Sequence, residues 1–327
     1  MLNNKSSTSS LIYYVSDNVK VVKQRRNKMD ALTLWSLIGF LFAAYAVIAN
    51  DSVQTLGTWM ASNNERFNYK VLWGAASAVL LATLWYGWTV NGGDISYGRL
   101  NKIPWQEVQW YHAMAPGILV ILTRYGVPVS TSFLVLSAFA STFVLEKMLM
   151  KSIMGYGIAA LFAYFAWYFI SRWMDETAPV KEEHKNYWRI AQWFATGGLW
   201  WTWLSHDMAN IAVFLPREVP LDLMFLVSAV FVVGLFFMFR ERGGKIQSIV
   251  LEKHSATLID LFYWLCLYFF KELNDIPMST TWVFVGMLAG RELAIASFTG
   301  KMKFKSVFPL VARDFQKMMI GLGASVA

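Results

Sequence analysis

Apolar residues run along this chain in long blocks divided by short polar breaks. Blocks fall at about 31–49, 71–90, 108–123, 129–145, 153–171, 190–215, 222–239, 258–270 and 278–298, with a more polar one at 306–325. A helix needs roughly 20 apolar residues to cross a bilayer, and most of these blocks reach or approach that length. The pattern predicts an all-α polytopic membrane protein with about 8–10 membrane segments. Two blocks fall short. His112–Thr123 is ended by Arg124-Tyr125-Gly126-Val127-Pro128, and Leu258–Phe270 by Lys271-Glu272-Leu273-Asn274-Asp275-Ile276-Pro277. Each short block leads through a polar break to a proline and then to Ser/Thr residues, as expected of a re-entrant hairpin.

The two ends differ from the middle. Leu11, Ile12, Val15, Val19 and Val22 lie near helical spacing beside Lys20 and Lys23, the pattern of a surface helix. The block from Ala31 to Ala49 is too long for a signal-peptide core and is expected to be retained as a span. In the last block Phe308, Val311, Phe315, Met318 and Leu322 share a helical face, while Arg313, Asp314, Gln316 and Lys317 interrupt it. That block is expected to lie on the membrane surface. The stretch 172–189 is the one long hydrophilic segment inside the chain. The expected organisation is a basic cytoplasmic segment 1–30, a first transmembrane repeat 31–171, a polar linker 172–189, a second repeat 190–300 and a basic amphipathic segment 301–327.

Composition agrees with a lipid environment. Charged residues make up 15% of the 327, against about 25% in soluble domains, and mean hydropathy is +0.40. The 16 Trp, 14 Tyr and 24 Phe suit interfacial belts, to which Trp200, Trp201 and Trp203 are assigned. The net charge of +8 resides in the ends: +4 in 1–30, +4 in 301–327, and 18 bases against 18 acids between them. Basic ends point to retention beside anionic lipid on the cytoplasmic side rather than to nucleic acid. One Cys excludes an intramolecular disulfide and a cysteine-based zinc cluster. No nucleophile elbow, phosphate loop, zinc-ligand spacing or dinucleotide fingerprint occurs in a fitting context, so neither an enzyme nor a bound cofactor is expected.

Features recur on the two sides of the linker. Asn50-Asp51 interrupts one apolar block, and His206-Asp207 with Asn210 another. Gly92-Gly93 recurs as Gly243-Gly244, and Pro128-Val-Ser-Thr-Ser132 as Pro277-Met-Ser-Thr-Thr281. The offsets are 156, 151 and 149 residues, in the same order. Two halves that each carry a short, proline-interrupted segment in corresponding positions point to inverted repeats with a substrate site between them.

Asp51 and Asp207 are the candidate charge carriers. A carboxylate at membrane depth costs on the order of 3 kcal/mol and persists where it binds a cation, carries a proton or faces a cavity. The competing reading is a helix cap. Asn50, Gln54 and Asn210 lie within a turn of these acids and complete a hard-oxygen set suited to Na⁺. Ser130, Thr131, Ser132, Ser279, Thr280 and Thr281 follow prolines that suit a first helical turn, so they bring free N–H groups and hydroxyls to an end that favours an oxyanion. Arg124 and Arg291 stand nearby as candidate anion guides, Arg291 with Glu292 as a candidate ion pair. His206 is read as a structural hydrogen-bonding group.

These residues carry a resemblance. Ile48-Ala-Asn-Asp-Ser-Val-Gln-Thr-Leu-Gly-Thr58 and Leu204-Ser-His-Asp-Met-Ala-Asn-Ile211 resemble the two signatures of the inorganic phosphate transporter (PiT) family. Pro128-Val-Ser-Thr-Ser-Phe133 and Pro277-Met-Ser-Thr-Thr-Trp282 resemble its P-V-S-T-T-H segments. Val285-Gly286 and Gly243-Gly-Lys-Ile-Gln-Ser-Ile249 are similar to two shorter stretches. The chain departs from the pattern at Phe133 and Trp282, where the family has His, at His206 and Gln54, where it has Asn, and at Ile48 and Leu204, where it has Gly. The resemblance implies cation-coupled symport of phosphate with Na⁺ or H⁺ in a bacterial inner membrane. Asn50, Asp51, Gln54 and Asp207 would hold the cation; Asn210 and the six hairpin residues would hold phosphate. The alternatives are a permease for sulfate or another oxyanion, and a transport-inactive membrane scaffold or sensor. Expected partners are the anion, the coupling ion, membrane lipid and further copies of the chain.

Overall fold

A computed structural model describes residues 32–124, 129–173, 180–246, 253–273, 277–298 and 304–326. The basic segment 1–30, Pro128, the central part of the linker, 247–249 of the Gly243 motif, and 301–303 lie outside the described residues. So does the side chain of Arg124.

Among the described residues all regular structure is helical. The first half contains α1 (Leu34–Ala46), a π-helical turn (Val47–Asp51), α2 (Ser52–Asn63), α3 (Tyr69–Val90), α4 (Trp110–Arg124), α5 (Thr131–Leu136) and α6 (Thr142–Trp173). The second contains α7 (Glu182–Asp207), α8 (Ala209–Ala212), α9 (Leu221–Ile246), α10 (Lys253–Leu273), α11 (Thr280–Phe298) and α12 (Phe304–Val326). Leu34–Asn63, Tyr69–Val90, Thr142–Ile170 and Leu221–Glu241 are each long and apolar enough to cross a bilayer. Exposed Leu41, Val71, Leu161, Phe165, Val233 and Phe237 on these spans form an apolar exterior. Only lipid makes such a surface inexpensive, and the chain is an integral membrane protein.

Several segments differ from the blocks seen in the sequence. The block 129–145 is not one segment: six-residue α5 is followed by a break at 137–141, and α6 starts at Thr142. Remote groups take up carbonyls freed at the break. Gln106 Nε2 donates to Phe139 O at 2.8 Å, and His112 Nε2 lies 3.1 Å from Ala138 O. The His112 ring also stacks on Phe139, with centroids 4.2 Å apart. The block 190–215 starts earlier and ends sooner. α7 begins at Glu182, inside the polar stretch, and gives way to α8 at Met208. Trp200 and Trp203 are not belt residues; both are fully buried and stacked at 5.2 Å. Trp200 Nε1 donates to Ala76 O on α3 at 3.1 Å. On α12 the expected apolar face divides: Met318 is buried, with Val307, whereas Phe308 and Phe315 are exposed along with Arg313 and Asp314.

Helix partners exchange between halves in a regular way. α4 packs on α1, and α10 on α7. α3 packs on α9. The short α5 packs on α12 of the other half, and α11 packs on α6 of the other half. The α11–α6 contact is the most extensive and is set by glycine. A Cβ at Gly286 would lie 2.3 Å from Tyr156 O, and one at Gly290 2.0 Å from Ala160 O. Small residues four apart let the two backbones touch, which is how membrane helices gain close packing.

The ends of the helices define two sides. Arg66, in the α2–α3 connection, donates to Asn186 near the start of α7. At the other end of α3, Val219 N donates to Gly93 O at 3.0 Å, and Arg217 donates to Leu100 O and Ile103 O. Gly93 has φ +98°, and a Cβ there would lie 3.2 Å from the Glu218 backbone, so glycine is required where these loops meet.

Candidate ion and oxyanion site at the helix breaks

The two helix breaks place their acids at the centre of the molecule. In the first half, the π-helical turn adds a residue to the ladder and turns Asn50 and Asp51 inward; Ser52 Oγ donates to Ile48 O at 2.6 Å across it. In the second, α7 ends at Asp207 and the backbone re-forms one turn of helix beyond Met208. Neither acid caps a helix. Asp51 occupies the N-cap position of α2 but makes no capping bond, and Asp207 spends its oxygens on side chains.

The hairpin hydroxyls converge on these acids from both halves. Thr131 Oγ1 donates to Asp51 Oδ2 at 2.5 Å, and Asn50 Nδ2 to Asp51 Oδ1 at 2.8 Å. Ser132 Oγ and Asn210 Nδ2 donate to Asp207 Oδ1, each at 3.1 Å, while Thr280 Oγ1 donates to Oδ2 at 2.7 Å. Asp207 thus joins the α5 hairpin of one half to the α11 hairpin of the other. Gln54 Nε2 donates to Thr281 Oγ1 at 3.3 Å. Ser130 and Ser279 instead hold their own helix starts, accepting from Phe133 N and Trp282 N. Ser279 N donates to Ser152 Oγ of α6 at 2.8 Å.

All eleven residues singled out in the sequence therefore meet in one region. Acids and hydroxyls bond directly to one another rather than standing apart as an acid subsite and a hydroxyl subsite. Asp51, Asp207 and Asn210 are 2%, 1% and 0% exposed and all six hairpin residues are buried, so the acids and hydroxyls are closed to solvent, whereas Asn50 and Gln54 are half-buried. The helix-dipole expectation applies unequally. α11 has 19 residues behind its N-terminus; α5 has only six and carries little of such a dipole.

The aromatic residues after the two triads also meet. Phe133 and Trp282 are buried, and their rings lie 5.6 Å apart across the two hairpins. They fill the space between the triads on one side. Arg291 does not guide an anion here. It pairs with Glu292 and lies over the Trp167 ring, eleven residues along α11 from Thr280 and so about 16 Å away. His206 bonds Thr202 O through Nδ1 at 2.9 Å, consistent with a structural role.

Sequence reading missed Arg99. It is 2% exposed, donates from Nε to Ser205 O at 2.9 Å, and attracts the Asp207 carboxylate. Its one signal was a basic residue shortly after Gly92-Gly93. It sits on the 91–105 loop, part of which lines a cavity of about 700 Å³ together with Arg217 and Glu218.

No family model matches the chain, and no curated protein matches it. A solved structure described as the sodium-dependent phosphate transporter does. It superposes with a TM-score of 0.56 at 16% identity, over 89% of this chain and 96% of that one. The likeness spans most of both chains, and the chain shares the fold of that transporter.

Proposed function

We propose that the protein is a secondary transporter that couples entry of a cation, Na⁺ or H⁺, to uptake of a small oxyanion, with inorganic phosphate the foremost candidate. The observation that carries this reading is the closed network in which hydroxyls from both hairpins meet Asp51 and Asp207. Two neighbouring carboxylates repel each other and would repel an anion more strongly. Thr131, Ser132 and Thr280 are also engaged by those carboxylates. A cation at the acids removes both obstacles: it cancels charge and lets the hydroxyls turn to an anion. Cation and anion would then bind with positive coupling, cation first.

An inverted arrangement of the halves supports alternating access. The connection after α2 lies beside the start of α7, whereas the equivalent connection after α8 lies at the opposite end of α3. Equivalent loops on opposite sides, and helix partners that exchange between halves, are what a two-fold axis in the membrane plane requires. Placement in a bacterial inner membrane belongs to the same proposal.

The Phe133–Trp282 contact favours a second reading, a transport-inactive scaffold or sensor, because two large rings occupy the centre. Uptake of labelled phosphate and sulfate into proteoliposomes, with and without a Na⁺ or proton gradient, separates the two. Gradient-driven accumulation of phosphate is expected. Preference for sulfate would reassign the anion, and no uptake of either would favour the scaffold.

A further inference from the structure

A third carboxylate is buried away from the helix breaks. Asp260, in the first half of α10, is 1% exposed. Thr196 of α7 donates to its Oδ2 at 2.5 Å, and Thr58 of α2 donates to its Oδ1. Gln192, one turn before Thr196, completes the group. Its Oε1 accepts from Ser62 Oγ at 2.7 Å and from Asn63 Nδ2 at 2.9 Å. Trp193 Nε1 donates to Asn63 Oδ1 at 3.2 Å, which fixes the orientation of that amide and hence of Gln192. The Gln192 Nε2 group is left buried, acting on Asp260 without closing a hydrogen bond of normal geometry.

Among the described residues, no cationic side chain is seen to act on this carboxylate. The elements packed on α10 are α7, α2, α11 and α6. From these, the side chains that act on Asp260 are Thr58, Thr196 and Gln192, all neutral. Arg291 of α11 is engaged by Glu292 and Trp167. On α10 itself, Tyr263 donates to Thr280 O. An isolated buried charge of this kind is expensive and is relieved by a bound cation or a proton. The geometry selects the proton. Thr58 and Thr196 already donate to Asp260, and Gln192 Oε1 is taken up by Ser62 and Asn63, whereas Gln54 Oε1 and Asn210 Oδ1 beside Asp51 and Asp207 stay open to a metal ion, which needs several oxygens. Hydroxyls rotate freely between donating and accepting, so Thr58 and Thr196 accommodate either state of the acid without moving a heavy atom.

Asp260 also has a route to the centre. Asp51, Gln54, Thr58 and Ser62 are spaced to fall on one face of the π-turn–α2 helix. At 1.5 Å per residue, Thr58 lies about 10 Å from Asp51, with Gln54 between them. The first half has no counterpart. Asp260 stands 17 residues before Pro277, and Tyr111 and His112 stand 17 and 16 before Pro128. His112 Nδ1 accepts from Gln109 N, so Nε2 carries the hydrogen and donates to Ala138 O; that position is a satisfied neutral ring.

We propose that Asp260 is a proton-binding site, separate from the Asp51–Asp207 pair and linked to it by the polar face of α2, which loads and releases one proton in each transport cycle. The proton comes from water on one side of the membrane and leaves to water on the other. Its part in a cycle rests on the transport function proposed above; the binding of the proton does not.

Infrared titration of the purified full-length protein in lipid tests the binding directly. The wild type is expected to show the C=O stretch of a protonated carboxyl that fades as pH rises. Asp260→Asn should remove a titrating component of that band, while the Asp51→Asn/Asp207→Asn double variant should keep that component. Asp260→Glu should give a titrating band at a shifted frequency, which separates loss of the site from loss of the fold. A wild type with no such band, or a band unchanged in Asp260→Asn, overturns the proposal. In proteoliposomes with a trapped pH dye, wild-type anion uptake should carry protons inward, and Asp260→Asn should remove that proton movement. Equal proton movement in both overturns the role in the cycle. Absence of any uptake by the wild type counts against transport, and the infrared band still decides the site.

Discussion

Asp207 has more hydrogen-bond donors than Asp51 in the network, and they come from both hairpins. Asp207→Asn keeps the shape but turns charge-assisted bonds into ordinary ones and sets an amide against three donors. Hydrogen bonds to a charged group contribute about 1.5–3 kcal/mol, so the expected loss of cation-stimulated uptake is about 10- to 100-fold. Asp51→Asn, with two donors on the acid, should fall in the same direction and no further. Thr280→Ala removes one donor and should weaken the anion's apparent affinity more than the cation's. Uptake measured against each ligand separately checks this; unchanged uptake in both Asp variants would refute the assigned roles. The candidates at this scale were legible in sequence because an acid in an apolar block is conspicuous. Their partners were not. Thr131 and Asp51 are 80 residues apart, and Ser132 and Asp207 are 75 apart. Asp260 stood in plain view in the block 258–270, but its significance depends on Thr58 and Thr196, from two other helices.

At the scale of the helix, local pattern located the helices better than their ends. The two short blocks before the prolines were legible because charge and proline end a helix whatever surrounds it. The break at 137–141 was not, because Ser-Ala-Phe-Ala-Ser is compatible with a continuing helix. It is stabilised by His112 and Gln106, whose approach no local pattern encodes. Contact between helices is similarly specific. Gly290→Ala places a methyl group against the Ala160 carbonyl, an overpacking that typically costs about 1–3 kcal/mol. Gly157→Ala, on α6 with nothing within 4 Å of its Cβ, should be neutral or stabilise by about 0.5–1 kcal/mol. Thermal unfolding in detergent checks the pair: the first variant should melt lower than wild type, and the second should not.

The whole molecule has a sidedness that a single label can read. Cys266 is the chain's one cysteine and is buried, so a membrane-impermeant thiol reagent should leave the parent protein unmodified. Arg66→Cys and Glu218→Cys place thiols in equivalent connections of the two halves. In sealed vesicles of one orientation, only one of them should react from outside, and the other only after permeabilisation. Labelling of both from the same side would refute the inverted arrangement. Three motif offsets suggest a correspondence of halves, but the relation between them in space depends on packing partners that no motif encodes.

The close seating of Gly286 and Gly290 on the Tyr156 and Ala160 carbonyls has a consequence for which parts travel together. Two backbones in direct contact have no side-chain layer in which to slide. α11 therefore moves with α6, although the two belong to different halves of the sequence. Any rigid body that contains α11 must then contain α6 as well, and so draws on both sides of the 172–189 stretch. A chain cut within the 172–189 stretch would leave each part with a glycine-flattened helix face and nothing to cover it.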